Sequence, residues 1–181
     1  ATVHFPIWHQ EIEDILVLKN NKGTEDNRVR KLDYSIQISK LFYERFIKNA
    51  DITLFSPNHV PGLYEAFGLP EFDSLYLKYE KDKSIPKETI GAQELFQALL
   101  KERAETGRIY IMNLDHCNTH SSFKDKVYMS NLCQEITLPT TPVQHIDDKE
   151  GEIALCILSA INLGLLTDMN ELEELCDLSV R

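Results

Sequence analysis

Asn131, Cys133 and Glu135 occupy every second position of the heptad Ser130-Asn-Leu-Cys-Gln-Glu-Ile136. In extended backbone successive side chains alternate, so these three share one face, and Leu132, Gln134 and Ile136 take the other. An amide, a thiol and a carboxylate side by side form a reaction centre. The thiol can serve as nucleophile or hydrogen-atom donor, the carboxylate as base, and the amide as a substrate-positioning group. The same spacing also describes a strand whose polar outer face happens to carry a cysteine. Spacing alone does not choose between them.

Two further clusters carry reactive groups. Cys156 lies in Glu152-Ile-Ala-Leu-Cys-Ile-Leu-Ser-Ala160, an apolar run that predicts a buried thiol. Buried cysteines are normally inert packing, and no Cys-x-x-Cys partner accompanies this one. Asp115-His-Cys-Asn-Thr-His120 places two imidazoles, a thiol and a carboxylate within one short stretch. A structural zinc site needs two spaced ligand pairs, and none follows, so turn formation by Asn118 and Thr119 is the simpler role. His4 and His9 straddle Pro6 at a spacing that suits neither a strand face nor a helix face, and read as structural. No Walker or dinucleotide fingerprint is present.

The elements that must position these groups alternate in type. Thr2 to Trp8 has strand alternation, with Pro6 marking an edge. Glu11 to Leu18 has helical spacing and stops at Asn20-Asn-Lys-Gly23. A second helix is expected over Asp33 to Ala50, from the stripe Ile36, Phe42, Phe46 and Ile47. Asp51 to Ser56 is a strand, and Val60 to Phe67 and Glu71 to Glu80 are short helices. Pro86 opens a helix that ends at Gly107, since proline suits a first turn. Arg108 to Asn113 is a strand, Asp115 to Lys126 a polar loop, and Val127 to Leu138 extended. Pro139 to Gly151 is loop, Ile153 to Ala160 buried, and a last helix starts near Asn170. The alternation predicts an α/β fold.

Composition narrows the class. The chain has 181 residues, with 27% charged and 43% hydrophobic, a globular balance. Its net charge of −10 and pI near 5.0 oppose sequence-independent nucleic-acid binding. No apolar run reaches the roughly 18–20 residues that cross a bilayer, so no membrane role is expected. Four cysteines without a dense scaffold, and no signal peptide, predict reduced thiols and a cytoplasmic location. A start at Ala1 and an end inside the helical pattern at Arg181 suggest a segment of a longer protein, with a core partly completed elsewhere.

The heptad Ser130–Ile136 closely resembles the Ser-Asn-Leu-Cys-x-Glu-Ile signature of the large, catalytic subunit of class I ribonucleotide reductases. Phe5-Pro-Ile-Trp-His9, Val17-Leu-Lys-Asn-Asn21, Asp51-Ile-Thr-Leu-Phe-Ser-Pro57, Val60-Pro-Gly-Leu-Tyr64, Asp115-His-Cys-Asn-Thr-His120 and Gly151-Glu-Ile-Ala-Leu-Cys156 resemble the bacterial and phage Ia type. The likeness runs essentially end to end.

That resemblance implies that residues 1–181 are a single, incomplete segment of a ten-stranded α/β barrel built from two half-barrels, with a central finger loop. It implies that Cys133 becomes the thiyl radical, that Glu135 takes the 3′-hydroxyl proton, and that Asn131 orients the substrate hydroxyls. Cys156 would be one member of a redox-active disulfide whose partner lies outside this chain. The implied reaction replaces the 2′-OH of a ribonucleoside diphosphate by hydrogen, for deoxyribonucleotide and DNA synthesis. Implied partners are the rest of the large subunit, a radical-generating small subunit that carries the metal, and thioredoxin or glutaredoxin. No metal or cofactor is expected in the segment itself. The full enzyme would be regulated allosterically by ATP and deoxynucleoside triphosphates, with Ala1 falling just beyond the specificity loop. The isolated segment is expected to be inactive. Two other readings stand beside this one: a non-catalytic remnant that keeps the fold, and a metal-dependent hydrolase using Asp115, His116, Cys117 and His120.

Overall fold

A computed structural model describes residues 2–181; Ala1, and the expectations attached to it, lie outside the described residues. The chain divides into two compact units, one running to Thr140 and the other spanning Thr141–Arg181. In the first, β1 (Thr2–Pro6) is followed by α1 (Ile12–Leu16), β2 (Asp33–Ile38), α2 (Lys40–Ile47) and β3 (Asp51–Phe55). Then come α3 (Leu63–Ala66), α4 (Phe72–Lys81), β4 (Lys87–Gly91), α5 (Ala92–Thr106), β5 (Ile109–Asn113) and α6 (Leu114–Thr119). The second unit carries α7 (Glu171–Val180).

Three strands form a parallel sheet in the order β1-β2-β5, and β3 pairs with β4 in a separate antiparallel ribbon. Among the described residues these sheets are open and no closed barrel forms. Pro6 sits on an edge strand, as its missing N–H requires. Across the parallel sheet Tyr34, Ile36 and Ile38 point to one face, and Ser35 and Gln37 to the other. Tyr34 donates its hydroxyl to the Leu16 carbonyl at 2.9 Å, which fixes the apolar face toward α1. The buried residues Ala92, Leu95 and Leu99 form the inward stripe of α5. An aromatic chain ties the ribbon side together: Trp8 meets Phe67 at 5.9 Å between ring centroids, Phe67 meets Phe72 at 4.7 Å, and Tyr76 meets Phe55 at 5.4 Å. Each such buried ring stabilises the unit by roughly 1.5–3 kcal/mol.

Several expected elements take another form. The helix expected over Asp33–Ala50 is a strand followed by a helix, with Ser39 extended between them. The alternation Tyr34-Ser-Ile-Gln-Ile38 is that of a strand, but it runs straight into the helical stripe of Phe42, Phe46 and Ile47, and no glycine or proline marks the boundary at Ser39. Pro86 immediately precedes β4 instead of opening a helix, because Ile90 and Thr89 pair with Ile52 and Thr53, and the helix begins only at Ala92. Part of the loop expected after Asp115 is α6. Val127 to Leu138 forms no strand and turns on itself. The helix expected over Val60–Phe67 shortens to α3, after a 3-10 turn at Pro57–His59.

In the second unit Asp148 accepts backbone N–H groups from Gln144 at 2.8 Å and Glu150 at 2.9 Å, folding residues 144–150 into a tight turn. A Cβ at Gly151 would come within 2.8 Å of the Val143 backbone, so only glycine fits there. The run Ile153–Ala160 is exposed, not buried: Ile157 is 91% and Ile153 76% accessible. No strand among the described residues pairs with it, and without a pairing partner or a covering layer its apolar side chains stay in solvent. Cys156 is accordingly exposed, against the sequence expectation.

Candidate active site

The polar face of the parallel sheet holds the segment that carries the candidate residues. The register sets His4 beside Ser35, and Pro6 beside Gln37. Ser35 and Gln37 are both 0% accessible, although a buried polar face on a sheet is costly unless its groups find partners. Their partners come from the segment after Lys126. Gln37 Nε2 donates to the Tyr128 carbonyl at 2.6 Å. His4 Nε2 lies 3.0 Å from the Ser130 carbonyl, which can only accept, so that nitrogen carries the hydrogen. Gln134 Nε2 donates to Ser35 Oγ. Side chains thus replace the strand ladder that this segment lacks.

The segment is fixed at its base by α6 and α3. Asn118 Oδ1 accepts the Val127 N–H at 2.8 Å, and Asn118 Nδ2 donates to the Val127 carbonyl at 3.1 Å. One carboxamide therefore binds both backbone groups of a fully buried residue, as a neighbouring strand would. Gly68 makes room for it. Its φ is +87°, and a Cβ there would lie 3.0 Å from Asn118 Nδ2 and 2.7 Å from Leu114. Lys126 donates to the carbonyls of Tyr64 at 3.1 Å and Glu65 at 2.7 Å, and its ammonium lies 4.2 Å from the Tyr128 ring centroid. Burial lowers its pKa to about 8, against the pull of Glu65 and Glu71.

Residues 130–136 close into a ring. Asn131 Oδ1 accepts the Ile136 N–H at 3.0 Å, and Ser130 Oγ donates to the Ile136 carbonyl at 2.6 Å. Ser130 has one hydroxyl hydrogen, so its 3.1 Å approach to Asn131 Oδ1 is the weaker claim on it. Gln134 turns the chain with φ +65° and donates its N–H to the Asn131 carbonyl at 3.2 Å. Strict alternation of Asn131, Cys133 and Glu135 along an extended strand is thus replaced by a turn. Cys133 sits at the midpoint of the ring, and it and Glu135 are exposed. Asn131 spends its oxygen on the ring, which leaves its amide hydrogens for other work.

The Asp115–His120 cluster is employed structurally. Asp115 accepts the Lys40 N–H at 2.6 Å at the start of α2, and the His116 N–H at 2.9 Å. His116 and His120 stack edge to face, with centroids 5.6 Å apart. No group of three or more His, Cys, Asp or Glu side chains among the described residues is placed to hold a metal ion. An open cavity of about 450 Å³ lies between β5, α6 and the ring, lined in part by Asn113, Cys117 and Gln134. Burial, and then the charge of Asp115, push the Cys117 thiol above its ordinary pKa, which keeps it protonated. Cys156 belongs to the second unit.

Sequence reasoning missed Ser35, Gln37 and Lys126, read His4 only as structural, and gave Asn118 only a turn. The one available signal was the alternation Tyr34-Ser-Ile-Gln-Ile38, whose polar positions mark a face with something to bind. Among the described residues no helix is long and apolar enough to cross a membrane.

Comparison with known proteins follows the same residues. A family model described as the barrel domain of ribonucleotide reductase matches residues 1–181. The chain is 58% identical over 186 residues to the ribonucleoside-diphosphate reductase subunit alpha of Buchnera aphidicola from Schizaphis graminum, covering 100% of the chain and 24% of the relative. It is 60% identical over 175 residues to that of Haemophilus influenzae, covering 94% and 23%. Against that of enterobacteria phage T4 the identity is 45% over 189 residues, covering 100% and 25%. The chain thus spans about a quarter of the length of these relatives.

Proposed function

The chain belongs to the ribonucleotide reductase barrel-domain family, and on that premise we propose that it is the catalytic-core segment of a cytoplasmic ribonucleoside-diphosphate reductase large subunit. Both units are read as one incomplete segment of a ten-stranded barrel, with β1, β2 and β5 as barrel strands and residues 127–137 as the finger loop. Remaining barrel chain then covers the exposed run around Ile157. The observation that carries the reading is the Ser130–Ile136 ring, which carries Cys133 at its exposed apex and is seated through Gln134 on Ser35 of the parallel sheet.

In this proposal the small subunit, with its metal centre, supplies the oxidising equivalent that turns the Cys133 thiol into a thiyl. Cys133 takes the 3′ hydrogen, forming S–H and a carbon radical. Glu135 accepts the 3′-hydroxyl proton, which eases departure of the 2′ oxygen as water. The Asn131 amide hydrogens orient the sugar hydroxyls. Cys156 and a cysteine outside this chain give two electrons and two hydrogens and close as a disulfide, and Cys133 returns its hydrogen to C3′. Substrate plus dithiol thus becomes deoxynucleotide, disulfide and water, and thioredoxin or glutaredoxin restores the dithiol. An S–H bond is weak enough for this cycle, and a dry barrel interior protects the radical. ATP and deoxynucleoside triphosphates would act on the full subunit.

The test uses the full-length large subunit with its small subunit and a dithiol. Cys133→Ser should leave ribonucleoside diphosphate unchanged, because an O–H bond is too strong to yield the abstracting radical. Cys156→Ser should still start the reaction and then release free base from the stranded sugar intermediate. Glu135→Gln should slow the early steps while keeping the shape. Base release from Cys133→Ser together with untouched substrate in Cys156→Ser would reverse the assigned roles. A parent subunit without turnover would favour the non-catalytic remnant.

A further inference from the structure

We infer that Gln37 and Asn118 are positioning residues for the Cys133 chemistry, acting as an amide clamp on the stem of its loop. The inference rests on the reductase reading above and extends it to two residues that need not touch substrate.

Residues 127–136 form no strand, yet they must hold a reacting sulfur in place. Their backbone is gripped instead at consecutive residues. Asn118 takes both polar groups of Val127, at 2.8 and 3.1 Å. Gln37 takes the carbonyl of Tyr128 at 2.6 Å. Each clamp residue is itself fixed. Gln37 lies in the central strand of the parallel sheet and is wholly buried, with its second amide hydrogen toward Met112 Sδ at 3.7 Å. Asn118 sits on α6, donates also to the Leu114 carbonyl at 3.0 Å, and fills the space opened by Gly68.

Gln37 shows most clearly that the grip matters beyond packing. Its Oε1 is buried without a partner among the described residues. A leucine or methionine would fill that position without stranding an oxygen. What the carboxamide adds is the donor to Tyr128, five residues before the thiol. The ring then carries this placement to Cys133 through Ser130, Asn131 and Ile136. Small displacements of a reacting atom reduce rate far more than binding, because alignment is needed in the transition state.

The experiment uses the full-length large subunit with its small subunit, a dithiol and a ribonucleoside diphosphate. Gln37→Leu and Asn118→Ala should each lower kcat per folded molecule about tenfold or more, with KM within about threefold of the parent. Gln37→Met keeps the length and volume and loses the donor, so it should behave like Gln37→Leu even where the leucine variant folds poorly. Asn118→Asp keeps an acceptor for the Val127 N–H and should recover part of the rate. Hydrogen exchange, which needs no turnover, should quicken about tenfold at the Gln134 and Ile136 amides in Gln37→Met. A kcat within twofold of the parent in Gln37→Met and Asn118→Ala, or unchanged exchange, would overturn the clamp. An inactive parent instead overturns the reductase reading, and exchange still decides whether the clamp holds the loop.

Discussion

Asn131 Oδ1 binds the Ile136 N–H at 3.0 Å, and this bond closes the chain around Cys133. An N–H can only donate, so the side-chain atom facing it is oxygen, and the Asn131 amide hydrogens face elsewhere. One side chain thereby builds the loop with one end and remains available to a ligand with the other.

Separating the two ends gives the first expectation. Asn131→Asp keeps the acceptor and should leave exchange at the Ile136 amide near the parent rate. Asn131→Ala removes it and should quicken that exchange about fivefold, the worth of one hydrogen bond of about 1 kcal/mol. Both variants should weaken substrate binding in the full-length enzyme. Equal exchange in the two would mean that the ring does not depend on this oxygen.

His4 gives the loop a pH dependence. Burial holds its pKa below the ordinary 6.5, although the Ser130 carbonyl favours the charged form. Its Nδ1 is buried without a partner among the described residues, so a second ring proton has no acceptor. Below pH 6.5 the open state takes up a proton that the closed state still refuses. Closed-loop stability should therefore be complete above about pH 6.5 and fall as pH drops through the lower folded value. Exchange protection at Ile136, compared between parent and His4→Phe from about pH 8 to about pH 5, should diverge only on the acid side. A constant ratio would remove His4 as the cause.

Lys126 works in the alkaline range. Its pKa is lowered to about 8 from 10.5, so between these values the unfolded chain binds the extra proton. Stability from this group should then rise as pH climbs from about 8 toward 10.5. Lys126→Met keeps the stem over the tyrosine rings without the charge, and should flatten that rise in exchange protection at Val127 and Tyr128. A rise of the same size in Lys126→Met would trace it to another group.

What the sequence revealed was local, and what it hid was long-range. The heptad pointed to Cys133, Glu135 and Asn131 because all three lie within a few residues. The ring they form depends on Gln134 at φ +65°, a conformation with no glycine to signal it. Ser35 lies 99 residues from Gln134, and His4 lies 126 from Ser130, separations that no window of periodicity spans. The strand at Asp33–Ile38 was hidden because no glycine or proline separates its alternation from the helical stripe that follows. The run around Ile157 erred the opposite way: its apolar character was plain, but burial depends on what lies over it.

The order of the anchors along the chain has a consequence for synthesis. His4, Ser35, Gln37, Asn118 and Lys126 all precede Cys133, and the strands that carry the first three precede it as well. A ribosome making this chain from its N-terminus releases every part of the seat before the thiol emerges. The pairing of β1, β2 and β5 joins distant segments, and non-local pairing of this kind forms slowly. The nascent chain can begin that step while Cys133 is still inside the exit tunnel, so the interval in which a bare thiol meets oxidants on an unanchored tether is short.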